Sequence, residues 1–347
     1  MIRLARRRAD FDALPAPACR LLQDTGLSGR TIFLTGATGF VGGWVLGAVG
    51  WLNRGLRTPV RVRALSRLPQ TSGPAWLTWV HGDVREFRDD AGSDYVLHAA
   101  LPSAATPAEG ARELHETAVG GAHATLEHAR RSGVRRYLLL SSGAVYAGPA
   151  DRALREDAPV GHDPTARDPA YGEAKRAAEA LCAAARDEHG LDVAIARLFT
   201  CIGPGYRAHR HLAHVSLLED VLAGRPIRLA SAGGAVRSYL YGADLAVWLL
   251  RLLTTERPGA IVNVGSDEAL TLLEFARLVA HVAGRDDAAV VAGANGEPPA
   301  ARPYFVPDIS TARITFGLAA WTRAADAVRR TLDHLRADAA AALAARH

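Results

Sequence analysis

The chain has one lysine. Lys175 stands alone among forty arginines, in the stretch Tyr171-Gly172-Glu173-Ala174-Lys175. At a surface ion pair arginine would serve as well. An isolated lysine in so arginine-rich a chain therefore points to chemistry that needs a compact ammonium rather than a wide, permanently charged fork. Tyr171 precedes it by four residues, one helical turn away on the same face. A phenol titrates near ~10 in model peptides, and a neighbouring cation lowers that value by stabilising the phenolate. Tyr171 is thus a candidate general acid/base. The same two residues would also suit an ordinary exposed helix, so the case depends on the elements that hold them.

Those elements begin with Thr31-Ile32-Phe33-Leu34-Thr35, a buried-strand run, followed at once by Gly36-Ala37-Thr38-Gly39-Phe40-Val41-Gly42 and an apolar helix pattern through Trp44, Val45, Leu46 and Val49. Strand, glycine turn and helix in that order is the context of a dinucleotide-binding loop. Gly36 permits the tight turn, Gly39 lets the backbone approach a pyrophosphate, and Gly42 lets the helix lie close to the strand. Thr38, Phe40 and Val41 complete the candidate contacts. A second strand, Val60 to Leu65, ends in Ser66-Arg67, where NAD-specific loops place an acid for the ribose hydroxyls. An arginine accommodates a 2′-phosphate instead, so the expected cofactor is NAD or NADP, with Arg67 leaning to NADP. Trp79-Val80-His81 leads to Gly82-Asp83-Val84. Tyr95 to His98 is another buried strand, and Ala99 and Ala100 after it leave room for a ligand. Helical periodicity from about Ala108 to Arg131 precedes the strand Tyr137 to Ser142. This alternation predicts an α/β fold, a Rossmann-type doubly wound parallel sheet with right-handed crossovers.

Composition narrows the class. The formal charge of +5 and pI near 9.4 come from scattered arginines, and aromatic residues are only 6%; this excludes a nucleic-acid-binding face. The longest uncharged apolar segment, Phe40 to Leu52, is too short and glycine-rich to span a bilayer, so no membrane is expected. Arg3, Arg6, Arg7 and Arg8 lack the apolar run of a secretory signal and read as a solvated tail, within a lead-in over residues 1–29 that packs on the outside. Cys19, Cys182 and Cys201 form no disulfide or zinc pattern, which suits a reducing cytoplasm. His209, His211 and His214 read as polar surface rather than a metal site. Further on, His209 to Ala223 reads as a helix, Pro226 to Leu229 as a short strand, Thr271 to Val282 as a helix opened by Thr271 with Glu274 three residues later, and the Ala-rich end from Ala324 as a terminal helix.

Ser142 ends a strand, and the helix of Tyr171 and Lys175 follows a loop rich in Pro, Asp and Gly. Here the sequence closely resembles the extended short-chain dehydrogenase/reductase superfamily, in its nucleotide-sugar epimerase and dehydratase branch, over residues 30–285. The resemblance is carried by T-G-A-T-G-F-V-G at 35–42, G-D-V at 82–84, H-A-A at 98–100, S-S-G-A-V-Y at 141–146, Y-G-E-A-K at 171–175, A-R-L-F at 196–199 with G-P-G at 203–205, R-S-Y-L-Y-G-A-D-L at 237–245, and N-V-G-S at 263–266. It implies that Tyr171 is the acid/base, that Lys175 lowers its pKa and binds the nicotinamide ribose, and that Ser142 hydrogen-bonds the reacting oxygen. Asp83 with Val84 would meet the adenine. Gly143, Tyr146, Thr200, Ser216 and Arg237 would contact a nucleotide-diphosphate sugar, Tyr146 as a pocket wall and Arg237 as the diphosphate contact. The implied division is an N-terminal extension at 1–29, a dinucleotide-binding domain at 30–200 to which 236–265 return, and a substrate-binding lobe at 201–235 and 266–347. A homodimer through the helices at 109–131 and 171–188 is also implied.

Departures from the family pattern limit the chemistry. Where 4,6-dehydratases follow the Ser/Thr with Asp-Glu, and decarboxylases retain the Glu, Gly143-Ala144 stand here, and neither can transfer a proton. Thr117 lies near the position of the family's Asn in the preceding helix, and Ser216 where many relatives have a sugar-diphosphate-binding Asn. Three readings stay open: a nucleotide-sugar epimerase acting at C4 through a transient ketone; an NADPH-dependent nucleotide-4-ketosugar reductase; and a non-catalytic dinucleotide sensor.

Overall fold

The structure, a computed structural model, describes residues 4–100, 110–162, 170–206, 212–229, 231–286, 290–291 and 303–344. Two helices come first, α1 (Leu4–Asp12) and α2 (Ala16–Gln23). They are followed by β1 (Thr31–Thr35), α3 (Phe40–Leu52), β2 (Arg61–Ser66), β3 (Leu77–His81), β4 (Tyr95–His98), α4 (Ala111–Ser132), β5 (Arg136–Ser142), a 3₁₀ turn (Gly143–Val145), α5 (Ala170–His189) and β6 (Val193–Leu198). The second half holds β7 (Cys201–Ile202), α6 (Ala213–Leu222), β8 (Ile227–Arg228), β9 (Val236–Arg237), β10 (Leu240–Tyr241), α7 (Gly242–Thr254) and β11 (Ile261–Val264). It closes with β12 (Leu270–Thr271), α8 (Leu272–Val282), β13 (Val290–Val291), β14 (Tyr304–Phe305), α9 (Ser310–Phe316) and α10 (Ala324–Ala344).

Seven strands make one parallel sheet in the order β11-β6-β5-β4-β1-β2-β3. The inner strands β1, β4, β5 and β6 are buried on both faces and read as largely apolar runs, whereas the edge strand β3 exposes Thr78 and His81; side chains alternate between two cores. Ile32, Leu34, Leu97, Leu138 and Ala196 face the core shared with α3 and α7. Phe33, Val96, Tyr137, Leu139 and Ile195 face the core under α4 and α5. Chain order reverses between β1 and β4, and at such a switch point a crevice opens beyond the carboxyl ends of the strands. The expected doubly wound fold is present, with β11 rejoining the sheet beside β6.

The start of the chain corrects an expectation. It is no outer lead-in: Phe11, Ala18 and Leu22 are fully buried in the main core. The Arg7 guanidinium lies 4.6 Å from the centroid of the Trp44 ring, and burial lowers its pKa to about 10. Tyr241 donates to Asp10 (2.6 Å), which also meets His334 of α10 (2.9 Å). The physical reason lies in α3 and α7. Both are apolar around most of their circumference, so the faces turned from the sheet need cover, and α1 and α2 supply it. Among the expected basic tail residues, Arg8 does remain exposed, while Arg3 lies outside the described residues.

One local expectation, the start of α8, holds. Thr271 and Glu274 form a reciprocal capping box at the start of α8. Helix α6 begins at Ala213 after Leu212; residues 207–211, with His209 and His211, lie outside the described residues. Among the small residues of α4 and α5, Ala122, Ala129, Ala178 and Ala185 pack within the chain, where the two helices lie on the same sheet face. Among the described residues no helix is long and apolar enough to cross a membrane, and the three cysteines are free.

Candidate active site

The glycine turn after β1 is built for an anion. Gly36 has φ +70°, and a Cβ there would come within 2.6 Å of the Ala99 carbonyl oxygen. A Cβ on Gly42 would lie 2.3 Å from the Gly36 carbonyl oxygen, so only glycine lets α3 sit this close to the strand. Helix α3 has Gly39 at its N-cap, with no side-chain cap and no acid in its first turn. Its first amide groups and the positive end of its dipole are left to a ligand, which is the donor set a pyrophosphate fits. Beside the turn, Thr35 Oγ1 accepts from the amides of Ala99 and Ala100 (3.0 Å each) and lies 2.8 Å from His98 Nδ1. With both lone pairs used, the hydroxyl donates to His98, whose ring is neutral because burial lowers its pKa to about 3.

A cleft of about 580 Å³ runs along this edge. One end is lined by Ser66, Arg67, Asp83 and Val84. Asp83 is held by Arg85 through two hydrogen bonds (2.8 and 2.9 Å), which keep its carboxyl below the usual range. No carboxylate pairs with Arg67 among the described residues. The middle is lined by Gly36, Thr38, Gly39, Phe40, Val41, Ala99 and Ala100.

At the other end the cleft meets Ser142, Tyr171, Lys175 and Thr200. Ser142 ends β5, its Oγ accepting from the Ala144 amide (3.1 Å). Tyr171 and Lys175 stand in the first turns of α5, and a Cβ on Gly172 between them would meet the Ala144 carbonyl at 2.4 Å, so this glycine brings the helix against the serine turn. Lys175 is 6% exposed. Its Nζ donates to the Leu140 carbonyl (2.6 Å) and lies 6.0 Å from the Tyr171 ring centroid. Burial lowers its pKa to about 8, opposed by the Glu179 carboxylate.

Five expected site residues do not line the cleft. Gly42 serves packing, as described. Gly143 lies under the Phe199 ring, 2.7 Å from where its Cβ would be, so an acidic side chain cannot be accommodated there without moving Phe199. Tyr146 is no pocket wall. It is buried, and its hydroxyl donates to Asn263 Oδ1 (2.6 Å). Ser216 turns its hydroxyl back to the Ala213 carbonyl (2.9 Å). Arg237 sits behind the cleft-lining Phe305, 5.9 Å from its ring centroid, and is half-buried with no carboxylate partner among the described residues.

Two residues escaped sequence reasoning. His214, expected at the surface, is buried and lines the cleft between the rings of Tyr206 and Tyr239, with Nε2 unpartnered among the described residues. Two positions on a helix are about 200° apart, so Ser216 and His214 cannot share a face. Glu179 repeats the four-residue spacing from Lys175, a signal legible in the sequence.

A switch-point cleft with an uncapped glycine turn at one end and a Tyr-Lys-Ser cluster at the other defines a Rossmann-type, dinucleotide-dependent enzyme. The sequence model of the NAD dependent epimerase/dehydratase family matches residues 32–265. The chain belongs to that family. It is 30% identical over 313 residues to UDP-glucose 4-epimerase of Streptomyces lividans, covering 84% of this chain and 91% of that one. It is 26% identical over 272 residues to dTDP-4-dehydro-6-deoxy-D-allose reductase of Streptomyces bikiniensis, covering 75% and 83%. UDP-glucuronic acid decarboxylase 1 of Danio rerio is 32% identical over 193 residues, 54% of this chain, and the match spans 44% of that relative's length. In fold, the chain resembles UDP-glucose 4-epimerase of Thermotoga maritima with UDP-glucose, with a TM-score of 0.74 at 19% identity, covering 89% of this chain and 99% of that one. It likewise resembles MoeE5 in complex with UDP-glucuronic acid and NAD, with a TM-score of 0.74 at 25% identity and the same coverage.

Proposed function

We propose that this chain is an NAD(P)-dependent nucleotide-sugar epimerase acting at C4 through a transient 4-keto intermediate. The observation that carries the reading is the convergence of Ser142, Tyr171 and Lys175 on one end of the cleft, while positions 143 and 144, which carry acids in dehydratases, hold Gly and Ala packed away from it. Only one proton-transfer group then serves the reacting carbinol. Tyr171 takes the hydroxyl proton and returns it, Lys175 stabilises the phenolate in between, and Ser142 orients the oxygen. Bound NAD(P) would supply the matching two-electron oxidation and reduction, and Gly36, Thr38 to Val41, Ser66, Arg67, Asp83, Val84, Ala99 and Ala100 would hold it. The relatives act on UDP- and dTDP-sugars. By analogy the lobe at 201–235 and 266–347 takes the nucleotide, with Arg237 meeting the diphosphate, and two copies associate through α4 and α5 in the cytoplasm.

The test is conversion of a panel of UDP- and dTDP-sugars, followed by nuclear magnetic resonance. An inverted C4 centre with no net change in cofactor absorbance supports the epimerase. One observation favours a second reading, a ketosugar reductase. Arg67 follows directly on β2 at the Asp83 end of the cleft, and among the described residues no carboxylate forms an ion pair with it, an arrangement that can accept a 2′-phosphate. Stoichiometric oxidation of NADPH by a 4-ketosugar would establish that reading. Binding without turnover across the panel would leave the sensor.

A further inference from the structure

Behind the catalytic end of the cleft lies a buried ion pair that the proposed mechanism does not use. Glu179 is one helical turn beyond Lys175, so Tyr171, Lys175 and Glu179 form a row along one face of α5. Its carboxylate is 8% exposed and has three donors: Ser141 Oγ at 2.5 Å, Arg197 Nε at 3.0 Å and Arg197 Nη2 at 2.8 Å. Ser141 is the neighbour of Ser142. Arg197, on β6, also covers the Tyr146 ring at 4.9 Å, and Tyr146 holds Asn263. One carboxylate therefore ties the serine end of β5, the catalytic helix and two adjoining strands together.

A pair this deep adds little stability over apolar residues of the same shape, so its contribution is sought in what it does to its neighbours. Lys175 has a carbonyl for its hydrogen-bond partner, which satisfies a proton but does not balance a charge. We infer that Glu179, held in place by Arg197, is a positioning residue that keeps Lys175 charged beside Tyr171 and fixes Ser141-Ser142, and so sets the alkaline limit of catalysis. The inference rests on the reading of Tyr171 and Lys175 as the acid/base pair.

The surroundings agree. The groups facing Lys175 are Tyr171 on its own helix, His98 at the end of β4, which is neutral, and Glu179. Arg197 is turned to Glu179, and burial raises the nearby Cys182 thiol, leaving it uncharged. Burial pulls the Lys175 pKa down to about 8 and Glu179 acts against it. Removing the carboxylate removes the anion that favours the ammonium, so the pKa falls further and Lys175 turns neutral at lower pH.

The single lysine makes this directly measurable. A chain labelled with lysine carrying carbon-13 at Cε gives one lysine resonance, whose pH titration reads Lys175 with no substrate present. Glu179→Gln should move its midpoint down by about one unit or more, and the alkaline limb of kcat should follow, with a roughly tenfold loss at pH 8 relative to pH 6.5. Glu179→Gln leaves Arg197 unpaired and can unfold the chain. The double variant Glu179→Gln with Arg197→Gln keeps the buried hydrogen bonds without charge and should show the same direction. An unmoved titration in a folded variant overturns the inference. A shifted titration with an unshifted rate profile overturns the catalytic role and the acid/base reading, while the electrostatic coupling stands.

Discussion

The two walls of the cleft handle buried polar groups in opposite ways. On the wall formed by β5, β6 and α5, every charge has a protein partner: Lys175 has the Leu140 carbonyl, and Glu179 has Ser141 and Arg197. Beside α6, β9 and β14 the pairing is thinner among the described residues: Arg237, one layer behind Phe305, donates to the carbonyl of Val236 (2.8 Å) but has no carboxylate, and His214 Nε2 has no hydrogen bond. A wall whose groups satisfy one another is set before any ligand arrives, as acid/base chemistry requires. In the proposed function the second wall is completed by the substrate, which turns its unpaired groups into affinity.

The largest break in that contrast is Tyr171→Phe. It removes one hydroxyl from the set wall, and kcat should drop by about 10²–10⁴-fold, with cofactor and nucleotide binding retained in calorimetry. Retained turnover would sink the mechanism. Lys175→Met comes next. Activity should again be lost, but thermal stability should rise, because a lysine whose folded pKa is lowered from 10.5 to about 8 costs stability wherever it must be charged. The cost is present in full below pH 8 and disappears as pH rises from 8 to 10.5. At pH 7 the variant should therefore be about 2–3 kcal/mol more stable in denaturant titrations, and the gap should close by pH 10.5.

The uneven legibility of the two walls has the same origin. The glycine turn, the strand ends and the Tyr171–Lys175 spacing are local patterns, and local geometry imposes them on the sequence. The Glu179 node joins positions 141, 179, 197, 146 and 263, which only the folded sheet brings together. The resemblance makes Gly143 a substrate contact, whereas the Phe199 ring decides its environment. His214 and Ser216 differ by two helical positions, a distinction that matters only once the helix face is known. The burial of α1 and α2 was hidden because arginine-rich composition speaks of solvent, while Phe11, Ala18 and Leu22, which decide the packing, are sparse.

On the open wall, Arg237→Met keeps the contact with Phe305 and removes the charge. KM for the nucleotide sugar should rise about 10–100-fold with kcat nearly constant, since a charge-assisted hydrogen bond contributes about 1.5–3 kcal/mol. A matching loss in kcat would mean that Arg237 belongs to the set wall.

The smallest effect sharpens the contrast most. His214→Phe replaces a buried ring, packed between Tyr206 and Tyr239, by another of similar shape that needs no hydrogen bond. An unmade buried hydrogen bond costs about 1–3 kcal/mol, so the ligand-free variant should be about 1 kcal/mol more stable at pH 8. Burial lowers His214 from 6.5 to about 4. A histidine shifted in this direction contributes stability above pH 6.5 that is lost as pH falls towards 4, because the unfolded chain takes up the proton first. Phenylalanine has no such loss, so the advantage of the variant should widen between pH 6.5 and 4. A variant less stable than the parent at pH 8 would show that His214 is satisfied within the free protein, and the two walls would then differ at Arg237 alone.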